Sequence, residues 1–170
     1  MFRLSVMSMR LAPQRFRWRG EPVIERYVFG PVHHGASPSM SRADLEFYGI
    51  NHFRPSYLAR IFFNDPDVDA ESASEDRPTY AGSFAMLGHP TCFGGEGHCE
   101  VHERSRRFDD RPSHPLTRAF KRVVVTEALR RFLDKGELTI TVIVSSDPDA
   151  SMSEEGPLLD VEGVQLTTFR

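Results

Sequence analysis

Between Gly88 and His102 the chain reads Gly-His-Pro-Thr-Cys-Phe-Gly-Gly-Glu-Gly-His-Cys-Glu-Val-His. Fourteen residues gather both cysteines and three of the seven histidines, as His89, Cys92, His98, Cys99 and His102. Thiolate and imidazole are the donors that suit copper(I) or zinc. Gly94, Gly95 and Gly97 let the backbone bend far enough to bring Cys92 and Cys99 around one ion. The spacing is not that of a two-knuckle zinc site, and three uses compete for the segment. Copper bound by thiolates and imidazoles is the first and a structural zinc site the second. In the third, a Cys92–Cys99 disulfide closes a short hairpin. A blue-copper centre is half supplied by Cys99-x2-His102, with His52 or His89 as the distant imidazole. However, Glu103-Arg-Ser-Arg106 stands where the axial methionine belongs, leaving Met86 to approach from the other side.

Outside the segment, His33 and His34 fall between a strand and a Gly/Ser/Pro turn, and His52 precedes Pro55 at a strand end. All three are candidate additional ligands, whereas His114, between Ser113 and Pro115, suits a packing or capping role. Phe93, between Cys92 and the glycines, is a candidate for insertion into a partner. No nucleophile elbow, phosphate loop or His-Glu-x-x-His motif is present, and no carboxylate pair stands out.

The elements that must position these residues read mostly as strands, by period-2 alternation and β-branched or aromatic content. They are Phe2–Leu11, Val23–Val32, Leu45–Asn51, Tyr57–Asn64, Tyr80–Leu87, Arg118–Val125, Glu137–Ser145 and Val161–Phe169. The clearest is Leu138-Thr-Ile-Thr-Val-Ile-Val144, expected as a central strand with Leu138, Ile140, Val142 and Val144 on one face. One short helix fits Thr126–Asp134, with Thr126 as its cap and Gly136 as its stop. The expected fold is all-β: an antiparallel Greek-key sandwich of cupredoxin-like type with one short helix. Two acidic stretches, residues 65–76 and 147–160, read as solvated loops punctuated by Pro and Ser. Asp65-Pro-Asp67-Val-Asp69 has the alternating acids of a calcium loop without its glycine or bidentate glutamate.

The 170 residues suit a single domain, 1–170, rather than two. A net charge of −3 argues against nucleic acid, although residues 1–20 carry five arginines and no acid. There is no 18-residue apolar run to cross a membrane and no apolar block typical of a secretory leader, so the expectation is a cytoplasmic protein. Oligomeric state is not legible at this level.

Tyr80-Ala-Gly-Ser-Phe-Ala-Met-Leu-Gly-His89, the Cys92–Cys99 loop, Pro115-Leu-Thr117, Val125-Thr-Glu-Ala-Leu129 and Leu138-Thr-Ile-Thr-Val142, preceded by Tyr57-Leu-Ala-Arg-Ile-Phe-Phe-Asn64, carry a resemblance. Together they resemble the β-sandwich domain that covers the catalytic bundle in bacterial tyrosinase and polyphenol oxidase proteins. The likeness runs from about Leu45 to Phe169. It implies a domain that packs over a dinuclear copper centre and whose cysteines help deliver copper. The family's six-histidine helical bundle has no counterpart here, so the resemblance implies a cover domain without its enzyme. Its role would be a copper-binding accessory or chaperone whose partner is a tyrosinase-like or other copper oxidase. The alternatives are a stand-alone copper oxidoreductase or electron-transfer protein using the same loop, and a disulfide- or zinc-stapled interaction domain.

Overall fold

The computed structural model describes residues 2–6, 14–16, 22–88, 118–146 and 156–170, the first two stretches as backbone only. The described elements are nine strands and one helix. In chain order the strands are β1 (Phe2–Val6), β2 (Gln14–Phe16), β3 (Ile24–His33), β4 (Arg42–Ile50), β5 (Tyr57–Phe63), β6 (Tyr80–Met86) and β7 (Ala119–Val124). After the helix α1 (Thr126–Arg130) come β8 (Glu137–Ser146) and β9 (Gly163–Phe169). They form a four-stranded sheet of order β1-β9-β4-β7 and a five-stranded sheet of order β2-β3-β8-β5-β6. Every pairing is antiparallel. With the short edge strand β2 set aside, this is the winding of an eight-stranded jelly roll, two Greek keys laid face to face. The antiparallel Greek-key sandwich with one short helix, expected from the alternation pattern, is therefore what forms.

β8 is the middle strand of its sheet, with Leu138, Ile140, Val142 and Val144 facing the core at 0% exposure. Phase explains its neighbours. Across it stand Phe29, Tyr27 and Glu25 on β3 and Phe63, Ile61 and Ala59 on β5, all buried. The other sheet contributes Ala43, Leu45, Phe47, Val164 and Leu166 to the same cluster. β5 is buried on both faces near its end, because its outward Phe62 meets Ile143 and Val68 in a second small cluster. Val68 belongs to the first acidic stretch, which thus folds back on the sheet.

Two carboxylates of that stretch, Asp65 and Asp69, are engaged within it. Asp65 accepts hydrogen bonds from Arg77 at 2.7 and 3.0 Å and from Thr79 at 2.6 Å. Burial pushes the Asp65 carboxyl up, but these donors outweigh it and hold it below the usual range. Asp69 accepts from the Ser72 hydroxyl and N–H. Asp65 and Asp69 thus each commit one carboxylate oxygen to closing the loop.

Two details depart from the sequence reading. The helix ends at Arg130 and continues as turns, and Val125 rather than Thr126 occupies its N-cap, without a side-chain cap. The Thr126 hydroxyl instead accepts the Ala43 N–H at 2.9 Å, tying the helix start to β4. Strand β2 is too short for a period-2 signal and was not foreseen. Between the sheets, β6 approaches β7 at Gly82, whose φ is +141°. A Cβ there would lie 2.7 Å from Val123 Cγ1, so the close approach requires glycine.

Candidate functional site

The strand order sorts the loops between two ends of the sandwich. At one end lie α1, the 34–41 connection and the 64–79 loop. At the other lie the turn 51–56, the points where the chain leaves β6 and enters β7, and the point where it leaves β8. The register fixes the second group: Tyr57 stands across from both Met86 and Ser146, and Ile50 across from Ala119. The stretch 89–117, which contains the Cys/His-rich segment and lies outside the described residues, is therefore bounded on both sides at this second end.

The anchors are tightly held. The Gly88 N–H donates to Ser56 Oγ at 3.0 Å. The same glycine lies so close to the backbone of Arg54, Pro55 and Ser56 that a Cβ would collide with the Arg54 carbonyl oxygen. On the return side, Arg118 donates to the Gly49 carbonyl at 3.0 Å and pairs with Glu162 at 3.3 Å, both side chains largely exposed. The 51–56 turn is fastened to the stretch before β9. Asn51 N–H donates to the Asp160 carbonyl at 2.7 Å, and its Nδ2 to Asp160 Oδ2 at 3.2 Å. Asn51 Oδ1 accepts the Phe53 N–H at 3.0 Å.

Beneath this end lies a buried polar group that the sequence reading missed. Glu25 is fully buried and Tyr27 nearly so. The Tyr27 hydroxyl donates to Glu25 Oε2, which also accepts the Leu158 N–H at 2.7 Å, while Tyr27 Oη accepts the Leu159 N–H at 2.9 Å. The carboxylate and phenol together clamp the 158–159 stretch onto β3. In the second acidic stretch, then, Leu158 and Leu159 are core residues, and 147–155 lie outside the described residues. Burial first, then the Glu25 charge, pushes the Tyr27 phenol well above its ordinary value. Burial and Asp160 do the same to Tyr57, whose hydroxyl and that of Ser146 are buried without a hydrogen-bond partner among the described residues. Glu25 is in phase with Val23, Tyr27 and Phe29, all on the inner face, where an acid reads as a break in the alternation.

The expected ligands divide accordingly. His89, Cys92, Phe93, His98, Cys99 and His102, and with them His114, lie outside the described residues. His52 sits half-buried on the 51–56 turn, its ring 5.6 Å from that of Phe53. His33 and His34 are at the opposite end of β3. His33 is exposed and pairs with Glu137 at 3.2 Å, while His34 is buried, both ring nitrogens lacking a partner. Among the described residues no group of three or more His, Cys, Asp or Glu side chains is arranged to hold a metal. None of the described helices is long and apolar enough to cross a membrane.

No protein-family model matches the chain, and no curated protein matches it either.

Proposed function

We propose that this chain is a copper-binding accessory module whose Cys/His segment holds copper(I) for a partner oxidase. What supports the reading is a mobile-metal donor set carried on a rigid frame. Two thiols and three imidazoles fall within fourteen residues. The segment containing them is tied, at Gly88 and Arg118, to one end of a closed sandwich. The donor chemistry fits a soft ion: Cys92 and Cys99, once deprotonated, supply two thiolates, and His89, His98 or His102 a neutral imidazole. A dinuclear six-histidine centre does not fit the sequence, since only His98 and His102 have the i, i+4 spacing of ligands on one helix face.

In this reading the sandwich is a handle. Its strands fix where the segment begins and ends, and the glycines let the donors close and reopen, so that ligand exchange with a docked partner requires no change in the core. The thiols release their protons when metal binds, so uptake is weaker at low pH. Phe93, between the first cysteine and the glycines, is the side chain proposed to enter the partner's active-site mouth.

The deciding test is the metal content of the full chain purified without chelator, beside the Cys92→Ser/Cys99→Ser variant. About one copper per chain, lost in the variant, supports the reading. Zinc in its place makes the site structural. A Cys92–Cys99 disulfide, with no copper(I) uptake after reduction, overturns it.

A further inference from the structure

On one side of the sandwich the two sheets end in β6 and β7, each with a single strand neighbour among the described residues. An edge strand carries a row of main-chain N–H and C=O groups with which another extended chain can pair. We infer that the outer edge of β7 receives an extended, acidic segment of a partner protein as an added strand, and that Lys121 selects it by charge. This docking goes beyond the metal reading and holds whatever the Cys/His segment binds.

The register says which main-chain groups are open. Val125 N–H donates to the Ala43 carbonyl, so in this antiparallel ladder Val125, Val123 and Lys121 turn their main-chain groups toward β4. Those of Phe120, Arg122 and Val124 therefore point away from β4, along the free edge. Pairing runs unbroken from Lys121 to Val124, with neither proline nor glycine in the strand. β6 is the poorer template, because its ladder shifts register next to Gly82, whose φ is +141°.

The side chains of the same three residues form a stripe. Phe120 and Val124 are 51% and 57% exposed. Between them, Arg122 is held by Glu46 at 2.8 Å and lies over the Phe120 ring, 5.5 Å from its centroid. At Val124 the edge meets a cavity of about 490 Å³ between α1 and β6, with Ser41, Tyr80, Thr126 and Arg131 in its lining. An added strand thus has an apolar stripe to cover and a recess for its end.

Charge decides the occupant. Arg118 and Arg122 already pair with Glu162 and Glu46. Lys121 has no ion-pair partner among the described residues, and neither has Arg131, which donates to the Tyr80 carbonyl. The carboxylate at the cavity, Glu127, is taken up by Arg130. Two uncompensated cations therefore flank this edge. A second copy of β7 would bring the same cations against them, which is how edge strands avoid pairing with themselves, whereas an acidic strand neutralises them.

The test is binding of dye-labelled peptides of about seven residues to the full chain, followed by fluorescence anisotropy. An alternating Glu/Val peptide is compared with a Lys/Val peptide, and the Glu/Val peptide is also made with every second amide N-methylated, in either phase. The expected result is binding of the Glu/Val peptide and not of the Lys/Val peptide. One of the two N-methylated forms should bind at least about 10-fold more weakly, because strand addition needs the main-chain donors of one peptide edge. Lys121→Gln should weaken the Glu/Val peptide, and Lys121→Glu should reverse the preference, with far-ultraviolet dichroism unchanged in at least one of them. Indifference to N-methylation in both phases overturns strand addition. Equal binding of the two peptides, wild-type affinity in a folded Lys121 variant, or no binding of the Glu/Val peptide by the wild-type chain overturns the inference as well. Copper content is measured separately, so each of these results leaves the metal reading where it stands.

Discussion

Tyr27 and Tyr57 make the stability of this fold sensitive to alkali in a way that can be worked out from their surroundings. Both are 4% exposed or less, and both phenols are pushed upward by burial, with Glu25 and Asp160 as the nearby negative charges. In the unfolded chain a tyrosine ionises near pH 10. The folded values are raised, so the contribution is fully present below about pH 10 and is lost as pH rises from there toward the folded values. Each phenol that ionises only in the unfolded chain removes about 1.4 kcal/mol per pH unit, and the two together about 2.7 kcal/mol. Against a typical total of about 5–15 kcal/mol, the domain should unfold within a few pH units above 10. Urea unfolding at successive pH values, followed alongside tyrosinate absorbance, measures the slope. Tyr57→Phe is the informative variant, because the Tyr57 hydroxyl has no hydrogen-bond partner among the described residues to lose. It should leave neutral-pH stability unchanged or raise it slightly, while halving the alkaline slope. A flat profile above pH 10, or tyrosinate absorbance from both residues before the fold is lost, would refute the reasoning.

Three further outcomes follow from the same contacts. Tyr27→Phe, in contrast to Tyr57→Phe, leaves Glu25 short of a donor and the Leu159 N–H without an acceptor, and should cost about 2–4 kcal/mol in urea unfolding. Gly82→Val combines a φ of +141° with a collision against Val123 and should destabilise by about 2–4 kcal/mol, whereas Gly136→Ala, with open space around it, should cost no more than about 1–2 kcal/mol by thermal unfolding. Asp65→Asn should lower thermal stability at neutral pH. Because the Asp65 carboxyl is held below its ordinary value, the gap to wild type should close as pH falls through that lowered value; a gap that persists at strongly acid pH would deny Asp65 its charged role.

What the sequence disclosed, and what it concealed, follow one physical divide. Alternation is imposed by the pleat, so the inner face of β8 could be read from Leu138, Ile140, Val142 and Val144, and the strand positions followed from similar runs. The acids of the 65–76 stretch were legible as acids, but not as partners of Arg77 and Thr79, because those pairings depend on how the loop closes. Glu25 was concealed for a stronger reason. An ionisable residue in phase with a core face looks like a break in the pattern, and its burial is made affordable partly from afar: the Leu158 N–H, 133 residues away, donates to Glu25, while Leu159 N–H holds the Tyr27 hydroxyl that donates to it. The candidate ligands divide in the same way. Donor type and clustering are local properties and stand out in the Cys/His segment. Which end of the sandwich each described histidine occupies is a property of strand order. Nineteen residues separate His33 from His52 in the chain, yet antiparallel winding sends them to opposite ends of the sandwich, while Gly88, 36 residues beyond His52, returns to its side.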